Sequence, residues 1–375
     1  MGGDMKQLIL LFLFSFIQST SFAASESQSL ALSISLINQN TLDGQSFWQR
    51  GEFVSQHGST SEHPFHIRYT KFGSTKGAKG SLVIAPGRTE SSMKYVEVAY
   101  DFIRRGYSPV YVIDHRGQGF SDRLLANPEK GHVVWFDDYV DDFEQFVSSV
   151  VLKDTAVNPS RLFLISNSMG GAITTSYLQR VSTQTPFRAT ALFGPMLEIA
   201  FSAGMTESMA RFQTSAICLT GFKLKGRTCE GYAEAQWGDY DPSTRAIDPK
   251  HPNPQNLTHS QARYELRDYL WNTKWPSLAV GGPTIRWVWQ STKANQQMRA
   301  TRKLRRIMTP VLIVSGEKDI RVANARHLWY CEKLMSLGKT CQNLVIPEAY
   351  HEILMESDEL RSPAMERMWS FFESF

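Results

Sequence analysis

Short, uninterrupted apolar runs recur along this chain and are separated by stretches with helical spacing. Ser81–Ala85, Pro109–Ile113, Leu162–Ile165, Ala189–Phe193, Val311–Val314 and Asn343–Ile346 read as strands. Tyr139–Val151 and Gly171–Arg180 place apolar residues three and four apart, as helices do. Strands apolar on both faces, alternating with helices, predict a mostly parallel, doubly wound sheet in an α/β domain. Phe65–Thr70 instead alternates apolar with polar, which suits an early antiparallel strand. The alternation stops between Met196 and Met308, a stretch too long for a loop. It is helix-like and rich in aromatics, among them Trp237, Tyr240, Trp271, Trp275, Trp287 and Trp289. We read residues 196–308 as a helical cap inserted into a core made of 47–195 and 309–375. For any one of these aromatics a place in the cap's own core is the simpler role; together they could line an apolar pocket. Residues 24–46, rich in Ser, Gln and Asn, read as a loosely held lead-in.

Composition narrows the class. The chain has 375 residues, 42% hydrophobic and 20% charged, with a net charge of +4. That is ordinary for a globular protein. No basic run with interleaved aromatics points to nucleic acid; the small positive balance is compatible with peripheral membrane contact. At the N-terminus, Lys6 precedes an apolar run from Leu8 to Ile17, and small residues stand at Ser21 and Ala23. This pattern predicts a signal peptide over 1–23, cleaved after Ala23, and export to a bacterial periplasm. The run is short for a membrane span, and an uncleaved anchor is the alternative. The cysteines Cys218, Cys229, Cys331 and Cys341 suit an exported, disulfide-bonded chain. Of the three possible connectivities, the local pairs Cys218–Cys229 and Cys331–Cys341 are the simplest; free buried thiols are the other possibility. No cysteine–histidine spacing resembles a zinc site. The sequon Asn256-Leu257-Thr258 would matter only in a glycosylating host.

The candidate chemistry sits at strand ends. Ser166-Asn167-Ser168-Met169-Gly170 follows the strand Leu162–Ile165 and opens a helix. A serine on a tight strand-to-helix turn is the nucleophile elbow of α/β-hydrolases, although Ser166 replaces the usual first glycine. Such a serine needs a base, and the base needs an acid to orient it. In this fold they follow in the order serine, acid, histidine. Asp319 follows the strand Val311–Val314, and His351 lies in the loop after the last strand. Ser168 is therefore the candidate nucleophile, Asp319 the acid and His351 the base, with Glu317 as second choice for the acid. The oxyanion donors should be the backbone N–H groups of Met169 and of Arg88, in the loop after Ser81–Ala85. Asp114 and His115 also sit at a strand end, where catalytic groups often lie, whereas His132, His251, His259 and His327 lack a serine and an acid in the required order.

Several segments together resemble the bacterial lysophospholipase branch of the α/β-hydrolases, related to monoacylglycerol lipases. They are Pro86–Ser91, Asp114–Ser121, Tyr139–Phe143, Ser168–Ile173, Val280–Thr284 within the cap, and Ala349–Leu354. The resemblance runs from about Phe47 to the C-terminus. It implies an α/β-hydrolase fold, a Ser168–Asp319–His351 triad, a structural role for the Asp114–His115 loop, and cleavage of a single-chain lipid ester without metal or cofactor. Location does not carry over, because the export segment is foreign to cytoplasm-facing members. A general carboxylesterase or peptidase on the same scaffold is the first alternative, since fold does not fix function. A non-catalytic binding protein is the second. A dehalogenase or epoxide hydrolase would want aspartate in place of Ser168.

Overall fold

The computed structural model describes residues 26–375 except 61, 202–203, 222–227, 235–237 and 246–256. The expected export segment with its cleavage site lies outside the described residues, as do Trp237, His251 and Asn256. Eight strands form the central sheet: β1 (Trp48–Val54), β2 (His66–Phe72), β3 (Gly80–Ala85), β4 (Tyr107–Asp114), β5 (Leu162–Asn167), β6 (Phe187–Phe193), β7 (Val311–Gly316) and β8 (Cys341–Ile346). Their order in space is β1-β2-β4-β3-β5-β6-β7-β8. Strands β3 to β8 run parallel, while β1 and β2 close one edge antiparallel.

The continuous apolar runs have a direct explanation. Along β3, Leu82 and Ile84 join one buried cluster while Val83 and Ala85 join the other, so both faces are covered. Helices α3 (Phe136–Ser149) and α4 (Met169–Val181) cover one face; α2 (Val96–Arg104) and the last helix, Asp358–Glu373, cover the other. The chain leaves β3 toward β4 on one side, whereas β5 adds on the other. Loops at such a reversal diverge and open a crevice beyond the carboxyl ends of the strands. Loop 86–91 and Ser168 stand at that crevice.

The N-terminal lead-in is not loose. Residues 26–39 form a helix, α1, that buries Ser33, Leu36 and Ile37. Its first described residue, Glu26, accepts hydrogen bonds from Ser260 Oγ at 2.6 Å and Asp358 N at 2.9 Å. The polar composition hid a repeat at helical spacing, Leu30, Ser33 and Ile37, whose face packs on the core. The edge strand β1 also went unpredicted, because its half-exposed residues carry no apolar run.

Between β6 and β7 the chain forms α5 (Glu207–Thr220), α6 (Gln261–Asp268), a π-helical turn over Tyr269–Lys274, and α7 (Ile285–Met298). The stretch before α7 is laced on two sides. Gly281 N and Thr284 N donate to Glu129 O and Gly131 O at 2.8 Å each, while Ile285 N reaches Gly231 O at 2.9 Å and Ala233 N reaches Pro283 O at 3.0 Å. The stretch leading into α6 is tied to the loop carrying His351. Glu352 N donates to Leu257 O at 2.8 Å, His259 N donates to Glu356 at 2.7 Å, and the His259 ring stacks 4.1 Å from Tyr350. Trp271 packs edge-on against Tyr240 and Trp275 against Phe120, so these aromatics serve packing.

Both local cysteine pairs are bonded. Cys218–Cys229 joins the end of α5 to the laced segment, and Cys331–Cys341 joins helix α8 (Asn324–Ser336) to β8. Among the described residues no helix is long and apolar enough to cross a membrane.

Candidate active site

Ser168 occupies the turn between β5 and α4 with φ 50° and ψ −116°, a conformation that side chains with a Cβ rarely adopt. Its backbone is held on three sides: its N–H donates to Phe193 O, and its carbonyl accepts from Gly171 N and Met196 N, all at 2.9 Å. The turn works only because α4 starts hard against β3. A Cβ on Gly170 would sit 2.1 Å from Ala85 O. Ser166 is tolerated in place of glycine because its buried hydroxyl accepts a hydrogen bond from Thr174 of α4 at 2.9 Å.

Ser168, His351 and Asp319 form one hydrogen-bonded line. Ser168 Oγ lies 2.8 Å from His351 Nε2, and His351 Nδ1 lies 2.7 Å from Asp319 Oδ2. Asp319 also accepts from Arg321 N at 2.7 Å and Val322 N at 3.3 Å. Burial pushes the Asp319 carboxyl up, but the His351 charge and these hydrogen bonds hold it below the usual carboxylate range. Burial pulls His351 down, yet Asp319 beside it, with Glu352 and Glu90 further off, raises it above its ordinary value. Glu317 is exposed and accepts from Glu348 N at 3.0 Å, so it does not meet His351.

Met169 supplies the first N–H of α4, which has no acceptor within its own helix. Arg88 lines the same cavity as Ser168. The N–H groups either side of it are committed: Gly87 N donates to Glu90 and Thr89 N to Gln118 Oε1 at 3.2 Å. Arg88 Nη1 donates to Gly281 O at 3.0 Å, so the loop after β3 also grips the insertion.

The residues around Asp114 are structural. Its fully buried carboxylate accepts from Ser92 N at 2.7 Å and Ser92 Oγ at 2.8 Å, with burial raising it to about 6. Gly119 must be glycine there, since its φ is +55° and a Cβ would fall 2.0 Å from Asp114 Oδ1. His115 is fully buried, lowered to about 3 by burial, and packs edge-on against Tyr139.

A buried ionic cluster behind the histidine was not anticipated. Lys94 Nζ lies 2.7 Å from Glu90 and 2.8 Å from Glu352, with all three side chains largely buried. Glu90 also accepts from Tyr95 Oη at 2.6 Å and Asn167 Nδ2 at 3.2 Å. Burial pulls Lys94 down, but the two carboxylates hold it above its ordinary range. The only hint in the sequence was the spacing of Glu90 and Lys94 at i and i+4.

The cavity reaching Ser168 has a volume of about 190 Å³. Of the aromatics singled out in the insertion, Trp287 lines it, together with Phe201, Met196 and Val322. That is smaller than the roughly 300–1,000 Å³ typical of pockets that enclose a drug-sized ligand.

Comparison with known proteins identifies the family. Residues 76–358 match the family described as serine aminopeptidase, S33. Lysophospholipase L2 of Escherichia coli K12 is 38% identical over 298 residues, covering 78% of this chain and 79% of its own. A carboxyl esterase of Bacillus coagulans superimposes with a TM-score of 0.66 at 17% identity, over 88% of this chain and 99% of its own. A monoglyceride lipase of Saccharomyces cerevisiae does so with a TM-score of 0.60 at 15% identity, over 86% and 96%. The chain thus belongs to the serine aminopeptidase S33 family of α/β-hydrolases, in its lysophospholipase branch, and is a serine ester hydrolase.

Proposed function

We propose that the protein cleaves the carboxylic ester of lysophospholipids or monoacylglycerols through Ser168, His351 and Asp319. The observation that carries this reading is the hydrogen-bonded line of 2.8 Å and 2.7 Å through His351, with the strained Ser168 at its end. With Nδ1–H donating to Asp319, Nε2 accepts the Ser168 proton as Oγ attacks the ester carbonyl. The N–H groups of Met169 and Arg88 would hold the oxyanion, each worth roughly 3 kcal/mol. His351 then returns the proton to the departing alcohol. Water attacks the acyl-Ser168 ester in the second half, again with His351 as base.

The lipid class is supported by the lysophospholipase relatives and by the apolar lining of the cavity. Residues 196–308 act in this reading as a cap over Ser168. Two disulfides are consistent with an exported protein, and the net charge of +4 with peripheral contact at a membrane. The test is a substrate panel on purified wild-type and Ser168→Ala protein: lysophospholipids, monoacylglycerols, short esters and peptides. Turnover of the two lipid classes that vanishes in Ser168→Ala is the expected result. Preference for a peptide or an acetyl ester would hand the reading to a peptidase or a general carboxylesterase.

A further inference from the structure

His327 takes no part in the proton transfers, yet it is fully buried on α8, the helix that follows Asp319. Its Nε2 lies 2.7 Å from Pro195 O and its Nδ1 lies 2.7 Å from Ser315 Oγ. A carbonyl can only accept, so Nε2 carries the hydrogen and Nδ1 accepts from the serine hydroxyl. Burial lowers the imidazole to about 4, which keeps the ring neutral, and this tautomer in place, at neutral pH.

The ring holds the turn that follows β6, and that turn lies against all three members of the triad. Gly194, with φ +46°, backs the bond between acid and base: a Cβ there would come 3.3 Å from His351 Nδ1 and 3.4 Å from Asp319 Oδ2. Pro195 packs on the first turn of α4, where a Cβ on Gly171 would come 2.6 Å from Pro195 Cβ. Met196 N donates to Ser168 O at 2.9 Å. Proline has no N–H, so the carbonyl is the one backbone group through which Pro195 can be tied. Leu197 N also reaches it at 2.7 Å, but that bond stays within the turn. His327 ties it to the scaffold. Ser315, by contrast, already stands in β7, opposite Val345 of β8. We propose that His327 is a positioning residue for the triad, which it serves by holding Pro195 O and so fixing residues 194–196 against Ser168, Asp319 and His351. This deepens the ester-hydrolase reading and rests on it.

The test separates the two bonds of the ring. The side-chain nitrogen of glutamine can reach the place of Nε2, whereas that of asparagine reaches only the place of Nδ1. His327→Gln therefore keeps the bond to Pro195, His327→Asn keeps only the one to Ser315, and His327→Ala keeps neither. With a soluble ester, the Asn and Ala variants should lose about tenfold or more in kcat with KM within about twofold, and Gln should recover most of that loss. The acid limb of the pH–rate profile should also move to lower pH in Asn and Ala, because a loosened Asp319 raises His351 less, while Glu352 and Glu90, the other carboxylates acting on the imidazole, stay in place. Gln and Asn variants of equal kcat, or a lowered melting temperature with kcat unchanged, would overturn the assignment. If the Ala variant does not fold, the comparison of Gln with Asn decides. Labelling of Ser168 by a fluorophosphonate reads the same positioning without an ester substrate, and its rate should fall in the same order. Failure of the hydrolase reading therefore looks different: Ser168 is labelled in wild type, but no ester turns over.

Discussion

Lys94 Nζ lies 2.8 Å from the carboxylate of Glu352, the residue that follows His351. With Glu90 on its other side, the lysine joins the loop after β3 to the loop that bears the imidazole. After Asp319, both Glu352 and Glu90 act on the imidazole as nearby negative charges and help to raise it.

This sets a pH expectation. A base must be neutral to act, so kcat/KM should fall toward acid pH with an apparent pKa above the ordinary 6.5 of histidine. Glu352→Gln removes a nearby negative charge and should move that acid limb to lower pH. A pH–rate profile that shifts the other way, or does not move, would contradict the role given to Glu352.

Lys94→Met should be costlier for folding than for chemistry, since it leaves two buried carboxylates without their cation. Breaking a buried pair in this way typically costs about 3–5 kcal/mol. Urea denaturation with a loss under about 1 kcal/mol would show that water already screens the cluster.

Asp319→Asn should reduce turnover by roughly three to four orders of magnitude, the usual consequence of misorienting the base. Glu317→Gln, altering an exposed side chain, should stay within a few-fold. The reverse pattern in steady-state kinetics would reassign the acid.

Specificity should climb with acyl length and then level off. Each buried methylene adds about 0.8 kcal/mol at most, roughly a fourfold gain. With a cavity of about 190 Å³ at Ser168, the plateau should arrive before palmitoyl. A flat series of kcat/KM from acetyl to palmitoyl esters would remove the apolar subsite.

Reduction of Cys331–Cys341 should loosen the join between α8 and β8 and lower stability by about 2–3 kcal/mol, the usual scale for a ring of this size. Cys331→Ser compared with wild type by thermal melting under non-reducing conditions measures it; equal melting temperatures would mean the bond is dispensable.

Much of this was legible in the chain because the relevant physics is local. Strands buried on both faces must be apolar throughout, and so β3 to β7 stood out. The elbow at Ser168 and the positions of Asp319 and His351 followed from strand ends and chain order. What escaped depended on distant partners. Nothing near Lys94 reveals that Glu352 will lie against it, because they meet only through the fold. Helix α1 was hidden by its serines, one of which, Ser33, is buried where an apolar residue would be expected. The aromatics of the insertion could not be sorted by sequence, as Trp271 and Trp287 look alike until one packs on Tyr240 and the other lines the cavity that reaches Ser168.

The bonds between the stretch leading into α6 and the histidine loop have a consequence for the base. Leu257 holds Glu352, and His259 holds Glu356 while stacking on Tyr350. The loop that positions the base is therefore braced from outside the core, so the 2.8 Å contact between His351 and Ser168 depends on the approach to α6 staying docked.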